Sequence, residues 1–498
     1  MKVAYDLNND NSIGVESGAM CREAFSELER WLYSQSSSCK GLQEVEVEEE
    51  RRGREVLRMM MQTHISCRGD GYMGAVLMVP ADPSNESITY SHKRLRIRRL
   101  ITIFGEVSVT RMEYSAPGHE SIYPLDATLA LPARAYSYEI QRRLVKAAIR
   151  GPFDEAIESV AEATSVSVPK RTAQCIMHDA CVDFESFYAQ GSTLLDTKSG
   201  PLLVASVDCK GVPMVKPKQT EKRVRLGRGE KRNKKRMATV AAVFTQEPNI
   251  RTPEEVVESL FGEAPADKKS RPYAKPEQKR VWASILSGKD QFIADVKEEV
   301  IRRDPTHEKT WVVVTDGERA LQRKTSATLG NVTLILDLLH VLEKLWAASY
   351  VLHPEGSPEA QNFVRQRTLR ILNGQVSQVV KGLRQMVTKR KLKGAKQKKF
   401  LDVAGYYYRN RSRMRYDFYL QNGFPIASGS VEGACKNLVK DRMERSGMRW
   451  TPTMAEAILR LRALYLSGHF DQYWDYHVTQ DQKRLYNFII QKLPVAEK

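Results

Sequence analysis

Four short apolar runs in the middle of the chain, LLVASVD, MATVAAVFT, WVVVTDG and VTLILDLL, set the strongest constraint on what it folds into. Each has the length of one β-strand, and turn chemistry or helical spacing separates it from the next. From Pro201 the order reads LLVASVD, then VPMV after a Lys210-Gly211 turn, then MATVAAVFT, which gives three strands in succession before a first long helix, Pro276 to Arg303. The strand WVVVTDG (Trp311 to Gly317), a helix and the strand VTLILDLL complete a β-β-β-α-β-α-β order. Runs arranged in this way build an α/β fold, a mixed sheet with helices on its faces.

Other patterns flank this core. From Ala24 through Glu50 to about Leu77 the spacing is helical and rich in charge, with Phe25, Leu28 and Leu32 and then Val56, Leu57 and Met60 on repeating turns. Leu95 to Tyr114 alternates apolar and polar residues around Gly105-Glu106, the signature of a two-stranded hairpin carrying arginines on its polar face. FDEAIESVAEAT, a Ser-Val-Ser-Val connector and PKRTAQCIMHDAC read as helix, turn, helix, with Pro169 as first helical residue and Lys170 and Arg171 at the exposed start of the second helix. In a helix-turn-helix reader that start meets bases and phosphates, whereas a plain helical hairpin needs no DNA. Between His340 and Phe424 the chain is long, basic and helical, an insertion ahead of ASGSVEGACKNLVKDRMERSGMRW. The expected divisions are a helical region 1–92, a hairpin module 93–135, a helix-turn-helix-like region 136–195, a core 196–340, an insertion 341–424, the core's last part 425–470 and a tail 471–498. The strand and helix order of that core is the one a ribonuclease-H-like fold requires.

Composition narrows the partners. Among 498 residues, 78 Lys+Arg against 60 Asp+Glu leave a formal charge of +18, which favours a polyanion through counterion release. No stretch approaches the ~18 uninterrupted apolar residues of a membrane span, and MKVAYDLNNDNSIGV lacks a signal-peptide pattern. The seven cysteines are scattered without a C-x-x-C pair, which fits a reducing cytoplasm better than a disulfide framework or a zinc finger. H-E-x-x-H and G-x-x-x-x-G-K-[ST] are both missing, which removes the usual marks of a metalloprotease and of a nucleotide-driven motor.

Cutting and joining phosphodiesters with two metal ions requires several carboxylate oxygens converging on cations roughly 3.5–4 Å apart. Asp208 ends an apolar strand before Lys210-Gly211, and Asp316 ends another before Gly317, so both stand at strand ends where open α/β sheets place their sites. Taken singly, each is equally a turn-forming Asp beside a glycine. Glu432 lies near the start of a helix capped by Ser428 or Ser430, at the edge of an apolar stripe of Val431, Cys435, Leu438, Val439 and Met443. Its competing role is an exposed i,i+4 pair with Lys436. Hard oxygen ligands of this kind suit two Mg²⁺, with Mn²⁺ as a substitute.

SVDCKGVPM, GEKRNKKRMATVAAVFT, VTDGERAL, LDLLHVLEKLW and ASGSVEGACKNLVKDRMERSGMRW together resemble the bacterial insertion-sequence transposases of the ISKra type. The likeness extends upstream to FGEVSVTRMEYSAPG, YPLDATLALP and GPFDEAIESVAEAT, nearly the whole chain. It implies a ribonuclease-H-like core whose DDE carboxylates correspond to Asp208, Asp316 and Glu432, and it draws notice to Asp337 and His340 in a D-x-x-H motif as support for the site. Many relatives carry paired cysteines where this chain has YSAPGHESIYPLD, so a zinc-bound N-terminal module is not expected.

The implied reaction is Mg²⁺-dependent end cleavage at terminal inverted repeats and strand transfer into target DNA. The implied partners are double-stranded DNA and at least one further copy of the chain in a synaptic complex, with no nucleotide cofactor and a cytoplasmic, nucleoid-associated location. A resolvase-like nuclease and a non-catalytic DNA-binding derivative are the rival readings. Candidate DNA contacts are Lys170 and Arg171; Arg223, Arg225, Arg228, Lys231, Arg232, Lys234, Lys235 and Arg236 in a glycine-interrupted basic loop; Lys389, Arg390 and Lys391 in the insertion; and Lys436, Lys440 and Arg449 after Glu432, in a segment that also offers Arg442, Arg445 and Trp450. Tyr406 to Tyr408 and Tyr416 to Tyr419 read as helix packing rather than base-stacking platforms.

Overall fold

A computed structural model describes residues 11–80, 87–190, 199–215, 235–262 and 274–490. The chain divides into two compact units, residues 1–183 with 471–498, and residues 184–470.

In the first unit the helices Asn11–Leu32 and Leu42–Ser66 pair, with Cys21 Sγ 3.1 Å from Thr63 Oγ1 and the Arg52 guanidinium 4.7 Å from the Trp31 ring centre. The helical pattern stops at Ser66, earlier than its spacing suggests, and from Leu77 the chain is strand: β1 (Leu77–Pro80) and β2 (Ser87–Tyr90) form a short hairpin. A longer hairpin of β3 (His92–Thr102) and β4 (Gly105–Ser115) follows, buried at its turn end through Leu100, Val107 and Val109. Arg98 and Arg111 of this hairpin share the buried carboxylate of Asp126. Helices Tyr138–Ala148, Phe153–Thr164 and Lys170–Asp179 come next, with Ser165 turning left-handed between the last two. Pro169 caps the third helix from outside and does not begin it. The described part of the expected tail is the helix Phe470–Ile490, whose His477 and Arg484 bind Asp183 at 2.7 and 2.6 Å.

The second unit is mixed α/β. Its five-stranded sheet comprises β5 (Leu202–Val212), β6 (Arg236–Gln246), β7 (Glu277–Ser284), β8 (Thr310–Thr315) and β9 (Thr333–Leu336), in the spatial order β7-β6-β5-β8-β9. β6 runs antiparallel to both neighbours, while β5, β8 and β9 are parallel. The central strands are buried on both faces, which is why they read as continuous apolar runs without alternation. One core joins Val204, Val312, Val314 and Leu336 to the helices Leu338–Ser349, Pro358–Leu372, Val376–Lys389 and Gly394–Asn410, the expected insertion. The helix Lys289–Arg303 packs on β5 and β6, and the helix Pro452–Leu466 packs on β7. Glu456 of that last helix is buried because Ser284 Oγ and the Ile285 amide donate to it at 2.9 and 2.8 Å.

Three sequence expectations change. No turn forms at Lys210-Gly211: β5 continues through it because β6 pairs along its full length, from Leu202↔Gln246 to Val212↔Arg236. VPMV adds only a single bridge, Met214 to Trp450. The third strand is therefore Glu277–Ser284, the first half of the segment expected as one long helix; that helix starts at Lys289, after Gly288, and a separate helix Pro253–Phe261 with a Thr252/Glu255 capping box precedes β7. Pairing with β6 overrides local propensity here.

Candidate active site

The site grows out of strand register. The last parallel row pairs Val207 with Thr315, and Thr315 with Leu336. The next residue on each strand is an aspartate: Asp208, Asp316 and Asp337. In parallel strands residues in one row share a face, and neighbouring strands lie ~4.8 Å apart, so three carboxylates line one sheet edge within ~10 Å. Asp208 remains inside β5 through its pairing with Val240, whereas Asp316 and Asp337 follow the ends of their strands.

Asp337 is fully buried and saturated. Its Oδ1 accepts from the Leu339 and Ser428 amides at 3.0 and 3.1 Å, and its Oδ2 from Ser428 Oγ at 2.6 Å, with His340 Nδ1 at 2.7 Å. Burial pushes its carboxyl up, but the His340 and Ser428 hydrogen bonds outweigh this and hold it below the usual carboxylate range. The same Asp337 bond raises His340, against burial and with the help of Asp316 and Asp208, to about 9. With Nδ1 occupied, Nε2 is the His340 atom left: a donor to a phosphate while the ring is protonated, and a ligand to a cation only once that proton is given up.

Asp208 accepts from the Cys209 amide at 2.6 Å through Oδ1 and from the Cys435 thiol at 3.3 Å through Oδ2. Burial, helped by the charge on Asp208, keeps Cys435 protonated well above the ordinary thiol range, so it donates. Asp316 Oδ1 accepts from the Glu318 amide at 3.0 Å. Burial pushes Asp316 up, and the charge of Asp208 adds to this against the Glu318 amide and His340.

Glu432 lies in the helix Gly429–Ala434, which continues as a π-turn over Cys435–Lys440. Among the described residues its carboxylate has no hydrogen bond and no ion pair, and the Lys436 pair does not form. Burial raises it, Asp337 and Asp208 raise it further, and His340 acts in the opposite sense. One segment thus holds the central strand β5 and the end of the edge strand β9: Ser428 grips Asp337, Cys435 grips Asp208, and Glu432 stands open between them.

Ligand atoms of Asp337, His340 and Glu432 come within 4.8 Å of one another. The charge of Asp208 adds to the raised proton affinity of Asp316 and Glu432, and that of Asp337 to Glu432's, a crowding of oxygen donors beside one imidazole that a divalent cation would relieve. The residues present therefore fit a hard metal ion. Sequence reasoning singled out Asp208, Asp316, Glu432, Asp337 and His340; it took Ser428 only as a cap, Cys435 only as part of an apolar stripe and Tyr406 only as helix packing. Tyr406 packs its phenol against Gly317, beside Asp316, so closely that a Cβ at residue 317 would overlap it.

The cationic candidates divide. Lys436, Lys440 and Arg449 are exposed. Arg442 and Trp450 are not surface donors: Arg442 is fully buried with its guanidinium 4.7 Å from the Trp450 ring centre, and Trp450 Nε1 donates to the Met443 carbonyl at 2.9 Å. Lys389, Arg390 and Lys391 are exposed at the end of the helix Val376–Lys389. Arg236 is exposed, and Lys235 pairs with Glu444. Arg223, Arg225, Arg228, Lys231, Arg232 and Lys234 lie outside the described residues. In the first unit Lys170 and Arg171 are exposed, with Lys170 2.7 Å from Asp154. Among the described residues no helix is long and apolar enough to cross a membrane.

No protein-family model and no curated protein matches the chain. Among solved structures it is similar to the Drosophila P element transposase strand transfer complex, at 10% identity over 71% of this chain and 84% of that chain, with a TM-score of 0.24. At that score the likeness fixes no role for any residue.

Proposed function

We propose that the chain is a metal-dependent DNA strand-cutting and strand-joining enzyme, a DDE transposase of the ISKra insertion-sequence type with a ribonuclease-H-like core. The observation that carries this reading is the row of three aspartates on neighbouring strands beside a helix glutamate that has no hydrogen bond or ion pair among the described residues. The mixed sheet with its single antiparallel inner strand supports the core assignment.

In this reading Asp208, Asp316 and Glu432 hold two Mg²⁺ ions, which when bound activate the attacking oxygen and stabilise the leaving one. Asp337, with both oxygens already accepting hydrogen bonds, orients His340 and ties the Glu432 segment to the sheet. His340 Nε2 faces the ions or a phosphate oxygen. The basic surfaces, Lys389 to Lys391 and Lys436 to Arg449, hold the DNA backbone, and the N-terminal unit recognises the terminal repeats. Water and a DNA 3′-hydroxyl are equivalent nucleophiles for one such site, so a single pocket serves cleavage and joining.

The test is end cleavage and strand transfer on labelled DNA carrying the element's own terminus. Asp208→Ala, Asp316→Ala and Glu432→Ala each lose both activities, by on the order of 10³-fold or more, while DNA binding persists. A variant that keeps full activity removes its carboxylate from the triad; a wild type that cuts without joining is a resolvase-like nuclease.

A further inference from the structure

The helix Gly394–Asn410 carries three consecutive tyrosines, and ~100° per residue sends them in three directions. Tyr407 is fully buried, and its hydroxyl donates to the Val341 carbonyl at 2.7 Å. Tyr408 is 47% exposed, with the guanidiniums of Arg384 and Arg411 5.4 and 4.3 Å from its ring centre. Tyr406 goes to the sheet edge, where its ring and hydroxyl cover Gly317. A buried tyrosine hydroxyl ordinarily finds a partner. Nearby Tyr416 follows that rule, donating to the Leu336 carbonyl at 2.7 Å. Tyr406 is only half-buried: among the described residues no hydrogen bond reaches its hydroxyl, which lies against the loop that follows Asp316 and stays open to solvent.

A tyrosine phenol is protonated at neutral pH, so it can act as a donor. An acceptor supplied by the protein is missing, and the carboxylate edge beside it is where the proposed reaction brings a phosphate. Lys398, Lys399 and Arg409 are exposed on the same helix and mark it as a surface for a polyanion.

We propose that Tyr406 is a substrate-contacting residue, whose hydroxyl donates a hydrogen bond to a non-bridging oxygen of the phosphate received at the Asp316 edge. This rests on the DNA-cleaving reading above. Gly317 is bare because a side chain there would displace the phenol from that position.

The test uses the full chain, with Tyr406→Phe removing only the oxygen. Two readouts are taken: single-turnover cleavage of end DNA in Mg²⁺, and ¹⁹F spectra of 3-fluorotyrosine-labelled protein titrated with the same DNA in Ca²⁺, the Tyr406 signal being the one lost in Tyr406→Phe. Expected are cleavage slowed about 10- to 100-fold, the range for one hydrogen bond to a charged acceptor, with DNA affinity unchanged, and a Tyr406 resonance that moves when DNA binds. A Tyr406→Phe variant that cuts at the wild-type rate overturns the proposal, and so does a resonance that stays still in saturating DNA. Should the wild type fail to cut, the enzyme reading falls on its own and the resonance alone decides whether Tyr406 meets the phosphate.

Discussion

Asp337 and His340 behave as one device. The saturated carboxylate fixes the ring, and the ring's proton affinity rises in return to about 9. A histidine raised above its unfolded value near 6.5 adds stability that is complete below that value and fades as pH climbs through 9. In the metal-free chain the thermal midpoint therefore falls between pH 6.5 and 9 more steeply than in His340→Gln. Parallel melting profiles for the two proteins would show that the imidazole contributes nothing to folding. Asp208 and Asp316 were legible because each closes an apolar run beside a glycine. That Asp337 is their peer was not, since membership of the row depends on the register Thr315↔Leu336, a pairing of residues distant in sequence. Tyr406 was read as helix packing, and it does pack; helical spacing says that three tyrosines diverge, but only the packed helix shows which one meets the sheet edge.

Among the elements, the segment from Ser428 to Met443 contributes most to the site. It reaches β5 through Cys435 and the end of β9 through Ser428, so Glu432 is placed by two anchors on different strands. Ser428→Ala leaves Asp337 short of its closest donor and costs about 1–3 kcal/mol by the usual penalty for an unmet buried acceptor. The same change lowers Mn²⁺ affinity by about 10-fold, read by electron paramagnetic resonance, because the residue orients the ligands without touching the ion. A variant with weakened folding but unaltered Mn²⁺ binding would reduce the anchor to packing. Elements with apolar runs buried on both faces, β5, β6 and β8, were plain in the sequence. β7 was not: EQKRVWAS has no strand-like alternation and becomes a strand through its pairing with β6, more than thirty residues upstream. The continuation of β5 through Lys210-Gly211 has the same origin, since a glycine that suggests a turn is held extended by Met237 opposite.

For the molecule as a whole, the proposed function and a charge of +18 together predict a DNA affinity that depends steeply on salt. Replacing Lys389, Arg390 and Lys391 together with alanine flattens the slope of log affinity against log salt by about 3, at ~0.9 for each phosphate no longer neutralised. A slope identical to the wild type places the DNA path elsewhere. The overall charge and the order of the core elements could be read from composition and pattern, but the division into units could not. The carboxylate unit, residues 184–470, is enclosed within the sequence of the other, which is completed only by the helix Phe470–Ile490. Synthesis from the N-terminus therefore gives the two units different waiting times. Residues 184–470 are made before the helix Phe470–Ile490 is complete, so of the two units the N-terminal one is begun first and completed second. If the proposed roles hold, the aspartate row could assemble before the N-terminal unit receives its closing helix, and a capacity to cut would precede a capacity to choose where.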